Sequence, residues 1–473
     1  MTSTSTSEVV KPKFAVRTFG CQMNEHDSER LSALLVADGM QPTDDLADAD
    51  VIVFNTCCIR ENADNRLYGN LGRLKALRAA KPHLKIAVGG CLAQKDRERI
   101  VERAPHVDVV FGTHNLGRAP QLLRQAALAG GGPIVEIMDA PDPQGAPAEP
   151  PALRQTPYAA WVTIQTGCNN SCAFCIVPSV RGPEISRPFS EIVKEVQSLA
   201  RRGVVEVTLL GQNVNSYGRD LTKRRPLFAD LLRAVGSVEG ISRVRFTSPH
   251  PKDLRPETIA AMAETPAVCE QLHLPLQSGS DRVLARMRRG YTAARYLERL
   301  EAARRAIEDL SVTTDIIVGF PGETEEDFAA TLDVVSLAGY DSAYTFVFSP
   351  RPGTRAAAME DQFIDPEVVA DRFERLRVVV ERCALSRHQQ RVGKVEEVLV
   401  EGPSRRDATV LCGRTRQGKI VHFVPDGDMS AIIPGTLALV RVTSAAPHYL
   451  RGNLECIVEL PRYRRRIPVA AAG

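Results

Sequence analysis

The sequence predicts an α/β protein in three parts: an N-terminal doubly wound parallel sheet, a central partial (βα)6 barrel and a small C-terminal β-barrel. Three observations predict it. Short apolar runs alternate with helical patterns over residues 13–137 and again over 160–348. Such alternation implies parallel strands with helices packed on their faces. Between the two stretches lies Pro141-Asp-Pro-Gln-Gly-Ala-Pro-Ala-Glu-Pro-Pro151, a stiff connection with no means of forming a core. From residue 393 the pattern changes to short β-like runs with turn residues between them, as a small barrel requires.

In the first stretch, Phe14-Ala-Val16, Val51–Phe54, Ile86–Val88 and Val107–Phe111 read as strands, and 27–38, 60–80, 95–103 and 117–128 as helices. In the second, strands are expected at 160–165, 204–210, 243–247, 270–274, 312–318 and 343–348. The helix after the first of these has Ser190 as its expected N-cap, Ile192, Val193, Val196 and Leu199 on one face, and Gly203 as its stop. A helix over 366–390 leads to β-like runs at 395–400, 409–413, 420–424, 437–443 and 453–460. The resulting division is a disordered tail 1–11, an N-terminal domain 12–130, a linker 131–154, a barrel domain 155–388, a small barrel 389–458 and a basic tail 459–473.

Composition narrows the function classes. With 44% hydrophobic and 25% charged residues, the chain reads as an ordinary globular protein of several domains. No apolar run reaches membrane-spanning length. The opening Met-Thr-Ser-Thr-Ser-Thr-Ser has neither a basic region nor an apolar core, so it reads as a tail and not a signal peptide. Eleven cysteines without an export signal point to a reducing, cytoplasmic setting and away from a disulfide framework.

The chemistry is expected around Cys168-Asn-Asn-Ser-Cys172-Ala-Phe-Cys175, which follows the apolar run Ala160-Trp-Val-Thr-Ile164. Three thiolates on one loop can hold three irons of a cubane iron–sulfur cluster. The fourth iron is left open, as at a catalytic metal. A structural zinc would need a fourth ligand close by, and no cysteine follows Cys175 until Cys269. Phe174 can pack against the cluster and keep water off it. Cys21, Cys57 and Cys91 each follow a predicted strand, in Gly20-Cys-Gln-Met-Asn24, Asn55-Thr-Cys-Cys-Ile-Arg60 and Gly89-Gly-Cys-Leu-Ala-Gln94. Open α/β sheets place their ligands beyond the carboxyl ends of their strands, so these three thiols can converge on a second cluster. The alternative is that they are small core residues; three at equivalent positions favour the cluster. Cys58 is adjacent to Cys57, and only one of the pair is expected to point into the site. Cys269, Cys383, Cys412 and Cys456 lie outside both triads and are expected to bind no iron.

Charge is uneven. From Arg391 to Arg466 there are 13 Lys/Arg and 8 Asp/Glu, a balance of +5 in a chain of net charge +3. A basic small barrel ending in Arg462-Tyr-Arg-Arg-Arg466 suits phosphate binding better than a merely solvated face. Deleting 391–473 is therefore expected to weaken RNA binding while sparing the chemistry upstream.

The spacing Cys168-x-x-x-Cys172-x-x-Cys175, with an aromatic before the last thiol, resembles the radical S-adenosylmethionine (SAM) enzymes. Together with Gly20-Cys-Gln-Met-Asn24, Asn55-Thr-Cys-Cys-Ile-Arg-Glu-Asn-Ala63, Gly112-Thr-His-Asn115, Gly211-Gln-Asn-Val-Asn-Ser-Tyr217 and Ser349-Pro-Arg-Pro-Gly-Thr354, the chain resembles a radical-SAM methylthiotransferase with a C-terminal TRAM RNA-binding barrel. Cys58 departs from the family pattern, which more usually has another small residue there.

The resemblance implies two 4Fe-4S clusters, a radical-SAM cluster on Cys168, Cys172 and Cys175 and an auxiliary one on Cys21, Cys57 and Cys91. SAM would bind the open iron of the first and be cleaved to methionine and a 5′-deoxyadenosyl radical. The second would carry the sulfur that is methylated and transferred. Phe174, Gln212, Asn213, Gln277, Ser278, Gly319 and Gly322 would line the SAM pocket, although Gly319-Phe-Pro-Gly322 also reads as a plain tight turn. The implied substrate is N6-isopentenyladenosine next to the anticodon of tRNA, methylthiolated at carbon 2. An inert aromatic C–H calls for a radical, because no side-chain base removes that proton. An electron donor such as flavodoxin or ferredoxin is implied, with no membrane and with a monomer as the simplest assembly. Sister enzymes act on threonylcarbamoyl-adenosine in tRNA or on a ribosomal-protein aspartate, and the first-cysteine word favours the isopentenyl branch. A non-catalytic iron–sulfur RNA-binding protein is the rival of another class; it would need neither open irons nor a barrel.

Overall fold

The computed structural model describes residues 11–58, 61–128, 132–140, 154, 156–223, 225–425 and 432–463, of 61–63 the backbone only. Most of the expected N-terminal tail and of the Pro-rich connection, together with Arg464–Arg466, lies outside the described residues. Among the described residues no helix is long and apolar enough to cross a membrane. Two compact units are formed, one within Met1–Gln155 plus Ile176–Pro183, the other within Thr156–Cys175 and Glu184–Gly473.

The first unit contains strands β1 Lys13–Phe19, β2 Gln41–Pro42, β3 Val51–Thr56, β4 Lys85–Gly90, β5 Val109–Phe111 and β6 Ile134–Glu136. Its helices are α1 Gln22–Ala37, α2 Glu61–Ala80, α3 Cys91–Asp96, α4 Arg99–Arg103, α5 Ala119–Leu128 and α6 Val177–Arg181. The strands form one parallel sheet in the order β2-β1-β3-β4-β5-β6. Alternate residues of β3 and β4 face opposite ways. Ile52, Phe54, Ile86 and Val88 pack with Leu67 and Leu71 of α2, while Val51, Val53 and Ala87 pack with Leu31 and Leu35 of α1 and Leu122 of α5. The sheet is therefore covered on both faces, which is why β3 is buried along its whole length and reads as a continuous apolar run. The strand order reverses between β1 and β3, and open sheets of this kind place a ligand crevice beyond the carboxyl ends of two such strands.

The second unit starts with β7 Ala159–Thr163, β8 Gln165–Thr166 and β9 Ile185–Ser186. It continues with α7 Phe189–Arg201, β10 Glu206–Leu210, α8 Arg219–Thr222, α9 Phe228–Gly236, β11 Arg243–Phe246, α10 Pro256–Glu264 and β12 Gln271–His273. Then come α11 Asp281–Arg286, α12 Ala293–Ala306, β13 Ser311–Val318, α13 Glu325–Ala338, β14 Ser342–Val347 and α14 Pro366–Gln389. The large strands form two parallel pieces, β11-β10-β7 and β12-β13-β14, linked by a parallel bridge between Val244 and Val268. This is the open six-stranded partial barrel. Leu272, Val312 and Ile316 point outward into the helix-packed core, so His273, Thr313 and Asp315 face the interior. The N-cap of α7 is Pro188 and not Ser190, which lies inside the first turn. Proline holds the extended conformation that a cap needs without a side-chain bond (φ −56°, ψ 132°).

The C-terminal strands β15 Val395–Pro403, β16 Leu411–Thr415, β17 Ile420–Val424, β18 Leu437–Ala445 and β19 Leu450–Glu459 close into a barrel in the order β15-β16-β17-β19-β18. α14 connects it to the larger barrel through one stripe, Val369, Arg372, Leu376, Val380, Ala384 and His388, at helical spacing. The small barrel is docked on the strand starts of the partial barrel. Arg243, fully buried, donates to the carbonyl oxygens of Arg414 (2.8 Å) and Glu397 (3.0 Å) and to the Glu397 carboxylate (2.8 Å). Arg245 donates to the Arg416 and Thr415 carbonyls at 2.7 and 2.9 Å. Gly418 lies so close to Gln271 that a Cβ there would meet its amide at 2.6 Å. The turn between β16 and β17 thus packs into the floor of the barrel.

Candidate functional site

In the first unit Cys21 is the N-cap of α1, Cys57 follows β3 and Cys91 opens α3. Cys21 and Cys57 therefore flank the β1/β3 crevice, with Cys91 at the end of the next strand. Two glycines make this approach possible. A Cβ on Gly20 would stand 2.5 Å from that of Cys57, and Gly90 holds φ at +92° just before Cys91. The loops are locked by asparagines: Asn55 Nδ2 donates to the Asn24 carbonyl (2.8 Å) and to Ser28 Oγ (2.9 Å), and Asn24 Nδ2 donates to Asn55 Oδ1 (3.3 Å).

The thiols meet in pairs. Cys21 Sγ donates to Asn24 Oδ1 at 3.4 Å, and the neighbouring Cys57 thiol, against burial and with help from Arg181, lowers the Cys21 pKa to about 6. The neighbouring Cys58 thiol lowers Cys91 to about 7, again against burial. Cys58 itself is raised well above the ordinary thiol value by Cys91 and by burial. The sequence leads us to expect one of Cys57 and Cys58 in the site; Cys57 neighbours Cys21, and Cys58 neighbours Cys91. Among the described residues no three ligating groups already stand at metal-binding spacing. The donor set nonetheless suits an iron–sulfur cluster: thiols in a water-poor crevice beside a fixed cation, where thiolates are favoured.

That cation is Arg181 of α6, which sequence reasoning missed. It is buried and ion-paired with Asp27 at 2.8 Å. Burial opposes its charge, but Asp27, Cys91 and Cys21 outweigh that and hold its pKa well above the ordinary value. α6 is fastened to the sheet by Thr113 Oγ1, which donates to the Val180 carbonyl at 2.7 Å. Thr113 in turn receives Gln94, whose Oε1 accepts its backbone N–H at 3.1 Å. The Gly112-Thr-His-Asn115 word is thus a clasp for the segment that carries Arg181.

Cys57 packs against Gly20 beside Cys21, whereas Cys58 lies with Cys91 in the apolar cluster around Ile52 and Leu67. With Cys57 as the ligand, as the register of the Asn55-Thr-Cys-Cys-Ile-Arg60 word implies, Cys57→Ser is expected to lose about half of the bound iron after anaerobic reconstitution, and Cys58→Ser to keep all of it. Iron and sulfide assays on the two variants check this, and the opposite pattern would assign the ligand to Cys58.

In the second unit Cys168, Cys172 and Cys175 lie on the loop beyond β8, on the carboxyl side of the barrel strands. The loop is pinned by the Ala173 N–H to the Met287 carbonyl (3.0 Å) and by the Ala356 N–H to the Ala173 carbonyl (2.9 Å). Two donors aim at its sulfurs: Arg289 Nη1 at Cys172 Sγ (3.3 Å) and the Asn170 N–H at Cys168 Sγ (3.4 Å). Burial opposes the Arg289 charge, yet Tyr291 and Cys172 outweigh it and raise its pKa. Burial raises the Cys168 thiol, with the Asn170 N–H opposing. Lys252 donates to Asn170 Oδ1 on the same loop. Beside it, burial and then Arg289 and Lys252 push His250 down to about 2, so its ring is neutral and Nδ1 accepts the Lys252 N–H (3.2 Å). Charge-assisted donors of this kind stabilise sulfur in the thiolate form. Arg289, Lys252 and His250 carry no sequence signal, because they reach the loop from α11–α12 and β11–α10 connections far along the chain.

The expected SAM-pocket residues divide by what they already bond. Phe174 packs with Ala173, Val283, Met287, Phe320 and Ala356 in an apolar cluster under the loop. Gln277, held at φ +72°, and Asn213 are buried and each leave a side-chain oxygen without a partner. Such orphaned acceptors suit the amino groups of a ligand. Gln212 is half-buried beside them. Ser278 is turned inward, its hydroxyl 3.3 Å from Thr331 Oγ1 and accepting the Ser280 N–H. The Gly319 N–H goes to Glu323 Oε2 (3.0 Å) and that of Gly322 to the Gln362 carbonyl (2.8 Å), so both glycine N–H groups already have acceptors. Below the loop the lumen is polar: His273 Nδ1 meets Thr313 Oγ1 at 2.9 Å and Nε2 lies 3.4 Å from Asp315 Oδ2. The Tyr344 ring of edge strand β14 meets His273 edge-on.

Three family models match the chain: Uncharacterized protein family UPF0004 over residues 13–112, the Radical SAM superfamily over 162–335 and the TRAM domain over 389–454. The chain is 57% identical over 440 residues to a tRNA-2-methylthio-N(6)-dimethylallyladenosine synthase of Acidothermus cellulolyticus, covering 92% of this chain and 87% of that protein. It is 53% identical over 461 residues to the protein of that name from Mycolicibacterium smegmatis, covering 96% and 88%. Among solved structures it resembles the radical S-adenosylmethionine methyltransferase TsrM of Kitasatospora setae, with a TM-score of 0.53, 14% identity and coverage of 74% and 77%. At that identity the likeness is one of fold.

Proposed function

The chain belongs to the family of tRNA-2-methylthio-N(6)-dimethylallyladenosine synthases, and from this we propose that it methylthiolates carbon 2 of N6-isopentenyladenosine in tRNA, using SAM and iron–sulfur clusters. The observation that carries the reading is the three-thiol loop with its aimed donors, on the carboxyl face of a six-stranded open barrel. Cys168, Cys172 and Cys175 would hold a four-iron cluster with one iron left for SAM, and Cys21, Cys57 and Cys91 an auxiliary one. When bound, these groups supply the radical and the sulfur that together replace an aromatic hydrogen by a methylthio group.

The protein's own part is binding and shielding. Arg289 and the Asn170 N–H favour thiolates at Cys172 and Cys168. Phe174, Phe320 and Met287 keep water from the loop. Gln277 and Asn213 would accept from the donor groups of SAM, while Arg289 and Lys252 make the rim positive where its carboxylate would lie. His273, Asp315 and Tyr344 line the lumen in which a splayed base would stack and hydrogen-bond. A flavodoxin or ferredoxin would deliver the electron.

The test is nucleoside mass spectrometry of tRNA from a strain lacking this chain. The 2-methylthio form of isopentenyladenosine is expected to disappear and its unthiolated precursor to accumulate, with both restored by the intact gene. Loss of a methylthio group from threonylcarbamoyl-adenosine instead would move the chain to the sister branch.

A further inference from the structure

On the strand-start side of the barrel, away from the Cys168 loop, a cavity of about 210 Å³ is walled by α12, α14, the approaches to β13 and β14, and the small barrel. Five of its lining residues are basic (Arg304, Arg387, Arg391, Lys394 and Lys419) and two are acidic, Asp309 and Asp341. Both acids are taken. Asp341 pairs with Lys419 at 2.5 Å, and Asp309 pairs with Arg391 at 2.5 Å. Lys394 Nζ reaches Asp309 only at 3.8 Å and is half exposed.

Arg304 and Arg387 are left over. Arg304 Nη2 and Arg387 Nε donate to one and the same acceptor, the Gly339 carbonyl, at 3.0 and 2.8 Å. Neither has a carboxylate within 4.0 Å among the described residues, and Arg304 Nε is buried with no acceptor. Burial, and then the neighbouring Arg387, push the Arg304 pKa below its ordinary value. The bland reading is a capped helix, since Gly339 ends α13 in a left-handed conformation (φ +52°). A helix terminus carries only about half a negative charge, however. One guanidinium meets that need, and two leave a surplus of positive charge and of N–H donors in a concave site.

We infer that this cavity binds a phosphate group, held by Arg304 and Arg387 with Lys394 at its mouth. Guanidinium pairs match the oxygens of phosphate in two-point geometry, and its negative charge suits the surplus that the second guanidinium leaves. The volume is below the roughly 300 Å³ at which pockets for drug-sized ligands begin, so a mono- or diphosphate group fits and a whole nucleotide does not. The phosphate can come from an RNA backbone crossing the small barrel or from a free anion. The inference stands independently of the methylthio reading, because its test involves no turnover.

The probe is labelled inorganic pyrophosphate in equilibrium dialysis with the reconstituted full-length chain, alongside anisotropy titrations of labelled tRNA at several salt concentrations. Arg304→Gln with Arg387→Gln is expected to weaken pyrophosphate binding at least about tenfold, as loss of charge-assisted pairs would. Lys394→Gln, which leaves the helix cap untouched, is expected to weaken it about threefold. If the natural phosphate belongs to RNA, tRNA displaces pyrophosphate and Lys394→Gln lowers the salt slope by about one. If it is a free anion, tRNA and pyrophosphate bind together. Absence of saturable pyrophosphate binding to the unaltered chain overturns the site. So does binding that Lys394→Gln leaves unchanged when the double variant either binds normally or fails to fold.

Discussion

Replacing Cys168, Cys172 and Cys175 together by Ala is expected to abolish 5′-deoxyadenosine formation and to remove about half of roughly eight irons per chain. A loss of at least about a thousandfold is anticipated, equivalent to about 4 kcal/mol of barrier, as the proposed ligand role of the three thiolates requires. The matching replacement of Cys21, Cys57 and Cys91 is expected to remove the other half of the iron. It should leave reductive SAM cleavage standing while methylthio transfer is lost. The two triads are in separate units with separate cores, so each set can be deleted without cutting into the other's fold. The measurements are iron content, 5′-deoxyadenosine with SAM and dithionite, and 2-methylthio nucleoside with tRNA. Iron near four in the unaltered protein, or loss of both activities in both variants, would count against two functionally distinct sites.

A graded version of this experiment uses Arg289. Arg289→Lys keeps a charge but loses the planar reach from Tyr291 to Cys172. Its expected effect is slower SAM cleavage at unchanged iron content, which separates a positioning role from ligation.

The parts of this molecule that were legible in its sequence are those with a period. Strands β3 and β4 read as apolar runs because each is buried on both faces of its parallel sheet. Cysteines after strand ends could be gathered into one site because parallel topology makes all carboxyl ends neighbours. Strand β2, Gln41–Pro42, escaped: it is two exposed residues at a sheet edge and has no pattern to read. Arg181 and Arg289 escaped for another reason. A buried arginine beside a thiol looks in sequence like any surface arginine, since its role depends on which loop it reaches in three dimensions. The place of the Cys58 thiol beside Cys91 could not be read from its adjacency to Cys57. At the end of a strand the chain turns, and both thiols of Cys57 and Cys58 reach neighbouring cysteines.

The largest revision concerns the small barrel. Its basic balance suggested an appendage whose removal would spare the chemistry, but its turn at Arg416–Lys419 is packed into the barrel floor. Removing residues 391–473 would uncover the fully buried Arg243, strip Arg245 of its two carbonyl acceptors and leave Asp341 without Lys419. Breaking a buried ion pair by deleting one partner costs about 3–5 kcal/mol, a large part of the stability of an ordinary domain. A chain ending at residue 390 is therefore expected to be poorly soluble, and to lose SAM cleavage as well as tRNA binding. Arg243→Leu isolates the clamp within the full chain. It strands the Glu397 carboxylate and two backbone carbonyls, and a fall in melting temperature of about 5 °C or more is expected. Differential scanning calorimetry and 5′-deoxyadenosine assays on the truncated chain and on Arg243→Leu make the measurement. A truncated chain that stays monodisperse and cleaves SAM at the full rate would return the small barrel to the status of an appendage. Loss of tRNA affinity alone would then be its whole contribution.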